Sequence, residues 1–272
     1  MSKPTIAFIG AGNMATSIVG GLIDAGQPAE SIRAADPFPD SLARLQQLAP
    51  IVACGDNNEA ATGADVIILA VKPQVMADVC QGISASLSAH ALVISIAAGI
   101  TIDSMASWLG NDTAIVRCMP NTPALLGCGA TGLFANAQVS EKQQGYAEQV
   151  LSAVGILNWV PNEKDLDAVT ALSGSGPAYF FLFMEAMIEA GIAQGLDRET
   201  ATRLTQQTGL GAARMALESD VDLVELRRRV TSPGGTTQAA VESFEASGLR
   251  NVVSQAMQAA ADRADEMARE MG

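Results

Sequence analysis

The stretch that most limits the fold is residues 5–15, Thr-Ile-Ala-Phe-Ile-Gly-Ala-Gly-Asn-Met-Ala. A short run of β-formers breaks off at Gly10, and helical spacing begins near Asn13. A strand that passes through a glycine turn into a helix leaves the first helical N–H groups without intrahelical acceptors. The spacing is G-x-G-x-x-A over Gly10, Gly12 and Ala15. Gly10 permits the tight turn, Gly12 lets a pyrophosphate approach the backbone, and the small Ala15 lets the helix pack closely on the strand. The pattern predicts a dinucleotide cradle in which Ile9, Gly10, Ala11, Gly12, Asn13 and Met14 face the cofactor. A purely structural glycine turn is the alternative.

Apolar runs and helical patterns alternate from there to about residue 160. Strands are expected at 32–35, 51–52, 66–71, 92–96, 114–118, 127–133 and 157–160, with helices at 13–25, 41–48, 75–87, 102–109 and 147–155 and another near Glu59. Val66-Ile-Ile-Leu-Ala-Val71 is apolar throughout, as a parallel strand covered on both faces should be. The alternation predicts an α/β, Rossmann-type, doubly wound parallel sheet over residues 1–161. Ligands of such sheets bind beyond the carboxyl ends of the strands. The segments 10–15, 70–73, 97–99 and 119–123 all sit at such ends and should line one crevice. This adds Ala70, Val71, Lys72, Pro73, Ala97, Ala98 and Gly99 to the expected cofactor contacts, with Lys72 read as solvated or cofactor-contacting rather than as an acid catalyst. Asp36 closes the second strand about 20 residues beyond the glycine motif, where a carboxylate accepts from the 2′-hydroxyl of NAD and repels the 2′-phosphate of NADP. It is alternatively a turn residue ahead of Pro37.

Charge and residue inventory remove several classes of function. The formal net charge of -13 argues against nucleic acid or an anionic membrane surface as the main partner. A small anion stays possible, because local backbone donors can override the global field. No run reaches the length of a membrane span, and Met1-Ser2-Lys3-Pro4 leads straight into a strand, so neither membrane nor leader is expected and the chain reads as cytoplasmic. Cys54, Cys80, Cys118 and Cys128 form no C-x-x-C pair and read as four buried thiols, with no metal site. The single histidine, His90, sits in a loop and reads as a surface residue. A His-dependent dehydrogenase or a Ser-His-Asp hydrolase is therefore not expected.

Strand signals vanish from residue 165, and helical spacing fills 166–172, 178–194, 197–217, 222–230, 238–246 and 249–271. Residues 162–272 read as an all-helical second domain, with Ser173-Gly174-Ser175-Gly176-Pro177 as a break between helices. Residues 178–194 are apolar on nearly all faces of their first half, which predicts a helix buried all round. So much apolar surface on so few helices predicts a homodimer, with a compact monomeric bundle as the alternative. The loop Thr231-Ser232-Pro233-Gly234-Gly235-Thr236-Thr237 offers hydroxyls and glycines directly before a helix. It reads either as a nest for an anion such as a carboxylate or as an ordinary glycine-rich loop.

Six segments in this order resemble the pyrroline-5-carboxylate reductase family over the whole chain. They are Phe8-Ile-Gly-Ala-Gly-Asn-Met-Ala15, Ala70-Val-Lys-Pro73, Ser95-Ile-Ala-Ala-Gly99, Arg117-Cys-Met-Pro-Asn-Thr-Pro123, Leu172-Ser-Gly-Ser-Gly-Pro-Ala-Tyr179 and Ser232-Pro-Gly-Gly-Thr-Thr237. The resemblance implies reduction of L-Δ1-pyrroline-5-carboxylate to L-proline with NADPH or NADH. It also implies a helical dimer assembled into a larger homo-oligomer. It places the substrate carboxylate on Ser232, Gly234, Gly235, Thr236 and Thr237, a hydrogen-bond or proton donor to the ring nitrogen at Thr237, and Glu163 near the ring. Asn57 matches a further cofactor contact. Two departures stand out. Asp36 lies where relatives preferring NADPH often carry a small hydroxyl residue, and Arg229 lies where some carry an amide. A β-hydroxyacid dehydrogenase-like oxidoreductase is the nearest rival, but its helix lysine has no counterpart in residues 173–183. A non-catalytic NAD(P)H-binding redox sensor would have no need of the 231–237 loop.

Overall fold

The computed structural model describes residues 3–271. Met1 and Ser2, with which the leader-free reading begins, and Gly272 lie outside the described residues. Contacts group the chain into two units: residues up to Ser175 together with those from Ala259 onward, and Gly176–Gln258.

The first unit is an eight-stranded sheet clothed by helices on both faces. In chain order it runs β1 (Ile6–Ile9), α1 (Asn13–Asp24), β2 (Ile32–Ala35), α2 (Pro39–Leu48), β3 (Val52–Ala53), α3 (Asn57–Ala61), β4 (Val66–Leu69) and α4 (Met76–Ile83). It continues through β5 (Leu92–Ser95), α5 (Ile102–Leu109), β6 (Ala114–Met119), β7 (Gly129–Ala135), α6 (Glu141–Ser152), β8 (Gly155–Trp159) and α7 (Asp165–Val169). The strand order is β3-β2-β1-β4-β5-β6-β7-β8. Successive strand residues point to opposite faces, so Ile6 and Phe8 feed one buried cluster with Ile18 and Leu22, while Ala7 and Ile9 feed a second with Ile67 and Met76.

The sheet is not wholly parallel, which corrects the doubly wound parallel expectation at one strand. β7 pairs antiparallel with β6, Met119 opposite Gly132, and β8 then pairs parallel with β7. The link from β6 to β7 is one short 3-10 turn, Thr122–Leu126, closed by Gly127 in the left-handed region. A parallel return needs about a dozen or more connecting residues. The break expected at residues 173–177 falls at Ser175, between Gly174 and the helix that starts at Gly176, and the helix before it runs further than 172. α7 runs into a π-turn, Thr170–Gly174, where the Ser175 N–H donates to Thr170 O at 2.8 Å. Gly174 packs against the Met119 side chain of β6, whose Cε lies 2.6 Å from where a Cβ would stand.

The second unit contains α8 (Gly176–Ala193), α9 (Arg198–Glu218), α10 (Leu223–Arg229), α11 (Thr236–Ala246) and the first part of α12 (Leu249–Met271). Asp197 and Asp222 cap α9 and α10, accepting from the Thr200 and Glu225 N–H groups. The α8 and α11 helices meet where Phe183 and Phe244 lie 6.0 Å apart. Within one chain α8 is not buried all round, contrary to its apolar composition: Phe180, Phe181 and Leu182 are 68%, 60% and 66% exposed. One unit of helices has too few partners to cover that face, and an apolar surface of this kind marks an interaction site.

Candidate functional site

Parallel register brings four strand ends into line. Ile9 lies beside Leu69, Leu69 beside Ser95, and Ser95 beside Arg117. β1 lies between β2 and β4, where the strand order reverses, and open α/β sheets bind ligands at that point. Gly10 turns there with φ +101°, and its N–H donates to Ala35 O at 2.8 Å. A Cβ on Gly10 would stand 2.5 Å from Ala70 O, so the glycine turn and the 70–73 turn lie against each other only because Gly10 has no side chain. Gly12 is exposed, and a Cβ built on it meets no atom within 4 Å. It opens α1 with no side chain capping the helix. A start of this kind, with donors and room above it, fits a pyrophosphate.

Asp36 is half-buried and holds the turn, the second of the two roles expected of it. Its Oδ2 accepts the Ala11 N–H at 2.7 Å and its Oδ1 the Phe38 N–H at 2.8 Å, which ties the glycine loop to the end of β2. A carboxylate accepts about four hydrogen bonds, so lone pairs are left for a ribose. Asn57 begins α3, just after the cap Asp56, and is half-buried. Ala70, Val71 and Pro73 are half-buried and Lys72 is exposed. Ala97 and Gly99 are buried and Ala98 half-buried. Gly99 (φ +76°) backs onto Met267 and Met271 of α12, whose carbons a Cβ would approach to 3.2 and 2.5 Å.

Glu163 sits at the same edge of the sheet and is already partnered. Its Oε1 accepts from Arg117 Nη1 at 2.9 Å and from the Ile102 N–H at 2.8 Å. The pair is largely buried, with side chains 9% and 24% exposed. Glu163 therefore pins the start of α5, next to the 97–99 turn. One turn further on, burial pushes the Asp167 carboxyl up, with Arg117 opposing and Asp265 adding to the shift. A hollow of about 630 Å³ opens on the opposite edge of the sheet, among Asp65, His90, Asp112, Lys142 and Tyr146. His90 is exposed there, and the hollow takes no part in the line of strand ends.

The second unit carries the other expected centre. Ser232, Gly234, Thr236 and Thr237 are exposed and Gly235 is half-buried. Gly234 has φ +70°, and Gly235 caps α11 with no side chain. The Gly235 N–H donates to Ser232 O at 3.0 Å, and the Gly234 N–H donates to Gln238 Oε1 at 2.7 Å. Arg229 is tied to its own helix, donating to Glu225 Oε1 at 2.9 Å.

Comparison with known proteins decides the family. Residues 163–267 match the model for pyrroline-5-carboxylate reductase dimerisation, and residues 5–99 match that for NADP oxidoreductase, coenzyme F420-dependent. A pyrroline-5-carboxylate reductase of Pseudomonas aeruginosa is 56% identical over 272 residues, all of both chains. The chain belongs to the pyrroline-5-carboxylate reductase family. Its fold agrees: a pyrroline-5-carboxylate reductase from Coxiella burnetii superposes with TM-score 0.94 at 46% identity, covering 98% of this chain and 99% of that one. The Plasmodium falciparum pyrroline carboxylate reductase with NADP bound superposes with TM-score 0.86 at 32% identity, covering 98% and 99%.

Three residues of this reductase-family chain escaped the sequence reading. Arg117 appears in a quoted motif, but nothing local announces that a charged residue inside a buried strand finds Glu163. Asn121, in the Met-Pro-Asn-Thr-Pro segment, accepts from the Ala130 N–H and donates to Ser173 O at 3.0 Å, joining two of the family segments. Gln238 lies one residue past the quoted loop. The cysteines need one correction. Cys54, Cys80 and Cys118 are buried, but Cys128 is exposed, because it follows the left-handed Gly127 on a surface turn. Among the described residues, no helix is long and apolar enough to cross a membrane.

Proposed function

We propose that this chain reduces L-Δ1-pyrroline-5-carboxylate to L-proline, taking its hydride from NADPH or NADH. The open donor cradle at Gly12, at the point where the strand order reverses, carries this reading together with the family. Residues 1–161 serve the cofactor in it, and residues 162–272 serve dimerisation and the substrate.

Ile9, Gly10, Ala11, Gly12, Asn13 and Met14 surround the pyrophosphate, and Asp36 takes the ribose while holding the loop. Asn57, the 70–73 turn and the 97–99 turn complete the cofactor's surroundings. The bound nicotinamide supplies the hydride. The carboxylate of the substrate sits on Ser232, Gly234, Gly235 and Thr236, and the Thr237 hydroxyl meets the ring nitrogen, donating to the neutral imine and accepting from the N–H once the ring is protonated. Reduction breaks the C=N π bond: hydride adds to carbon, the π pair passes to nitrogen, and nitrogen takes a proton. An imine can be protonated near neutral pH before hydride arrives, so no histidine is required. Glu163 anchors α5 through Oε1, and its Oε2 offers negative charge to a cationic ring. Holding two reactants in register is worth roughly 7–11 kcal/mol, which is the main task left to the protein.

The apolar face of α8 supports a homodimer, with a higher homo-oligomer built from it, in a cytoplasmic enzyme. Thr237→Ala tests the reading: turnover on pyrroline-5-carboxylate, followed by loss of NADPH absorbance, falls about 10- to 150-fold, as for a lost hydrogen bond to a charged group. NADPH affinity stays unchanged. Equal losses of turnover and cofactor affinity would remove Thr237 from the reaction.

A further inference from the structure

The loop read as the carboxylate site fills one of its own donors. Gly234, in the left-handed region, directs its N–H to Gln238 Oε1 at 2.7 Å. Gln238 lies in the first turn of α11 and is half-buried. Its amide is oriented from both ends, because Nε2 donates to Glu242 Oε1 at 2.6 Å. A donor on one side and a carboxylate on the other admit one assignment of the amide's oxygen and nitrogen.

We propose that Gln238 stands in for the substrate's carboxylate, occupying the Gly234 N–H until substrate displaces it, and that it thereby sets affinity for carboxylate-bearing ligands. The inference rests on the reading of residues 232–237 as the carboxylate site. An amide oxygen is a neutral acceptor. A carboxylate makes hydrogen bonds roughly twice as strong, so the substrate wins the exchange but at reduced net gain. A ligand with the same ring and no carboxylate has nothing to gain from the exchange. Glu242 holds the amide in its blocking orientation and gives it somewhere to remain when the donor is taken. Gln238 is a positioning residue on this account, since the contact it controls belongs to Gly234.

The test uses the full chain loaded with NADP⁺ and titrated with L-proline, with pyrrolidine as the ring lacking a carboxylate. Gln238→Leu removes the acceptor and leaves an apolar side chain one atom shorter. Its Kd for L-proline should fall about threefold to tenfold, equivalent to about 0.65–1.4 kcal/mol at 25 °C. KM for pyrroline-5-carboxylate should fall with it, while kcat, pyrrolidine binding and NADP⁺ affinity stay put. Gln238→Glu places a permanent anion on the same donor and should raise the Kd for L-proline more than tenfold. If Gln238→Glu weakens proline and Gln238→Leu does not tighten it, the stand-in is refuted and the carboxylate site survives. If neither variant moves proline affinity, the carboxylate site itself is wrong. Gln238→Met guards against a folding defect in the leucine variant. A lowered melting temperature in both, with proline affinity unchanged, would make Gln238 a helix cap and overturn the proposal.

Discussion

The two glycines of the first turn look interchangeable in a motif, and the geometry says that they are not. Gly10→Ala puts a Cβ 2.5 Å from Ala70 O on a residue at φ +101°. Backbone held in such a sparsely populated region costs of order 1–3 kcal/mol, and forcing an extra carbon into a packed interior typically costs about 1–3 kcal/mol more. The sum, roughly 2–6 kcal/mol, is a large share of a total stability of about 5–15 kcal/mol. Gly12→Ala meets no atom within 4 Å and sits at ordinary φ -73°. Its folding cost is that of alanine at a helix N-cap, about 0.5–1 kcal/mol. At about 2–4 °C per kcal/mol for a domain of this size, Gly10→Ala should melt roughly 4–24 °C lower and Gly12→Ala roughly 1–4 °C lower. Binding should show the opposite order among folded protein. The new methyl of Gly12→Ala occupies the space that a pyrophosphate needs. Losing one hydrogen bond to a charged group, about 1.5–3 kcal/mol, weakens NADPH about 10- to 150-fold. Thermal melting at equal protomer concentration and a fluorescence titration with NADPH measure the two effects. A Gly12→Ala protein that binds NADPH like the parent, or melts as low as Gly10→Ala, would refute the cradle.

Glu163→Ala leaves Arg117 buried without its partner and should cost about 3 kcal/mol, near the lower end for breaking a buried pair because Glu163 keeps some solvent exposure; replacing Arg117 by Met in the same chain should recover part of that loss in a denaturant melt. Asp167 carries a raised pKa in the folded protein, so its ionised form is disfavoured there and stability falls as pH rises through that pKa. Asp167→Asn should therefore raise the melting temperature at pH 7, with the gain vanishing below the ordinary value of 3.8. Burial pushes the Cys80 and Cys118 thiols up to about 12, and Cys54 is raised as well. Iodoacetamide at pH 8 should label Cys128 alone in native protein and all four cysteines after denaturation, as counted by intact mass.

The strands were legible wherever burial on both faces left an unbroken apolar run, as in residues 66–69, and the glycine turn was legible because its geometry at Gly10 requires that residue type. Direction was harder to read. β7 carries the same kind of residues whichever way it runs, and only the short link after Met119 forces it antiparallel. The 173–177 break was legible from its glycines and Pro177, whereas the π-turn that carries the preceding helix on to Gly174 has no local signal. Composition located the apolar helix α8, but not that Phe180 to Leu182 stay exposed within the single chain. The site residues read from local motifs lie at strand ends, in the turns that follow them and in the first turns of helices. The Arg117–Glu163 pair spans sequence too distant for any local pattern to join.

The two glycine loops solve one physical problem in different ways. Each sits before a helix and exposes donors, and each gives one N–H to an acceptor from its own chain: Ala11 to Asp36, and Gly234 to Gln238. The difference lies in charge. Asp36 is an anion held by two backbone donors and keeps spare lone pairs, so it stays in place and shapes the loop for a dinucleotide that arrives alongside it. Gln238 is neutral, is gripped from behind by Glu242 and blocks the donor it holds. A small anion can push an amide aside, whereas displacing a carboxylate from two N–H groups would cost both of its charge-assisted bonds. On the proposed reading the first loop is built to be permanent and the second to be exchanged, as binding a large cofactor and then turning over a small acid requires.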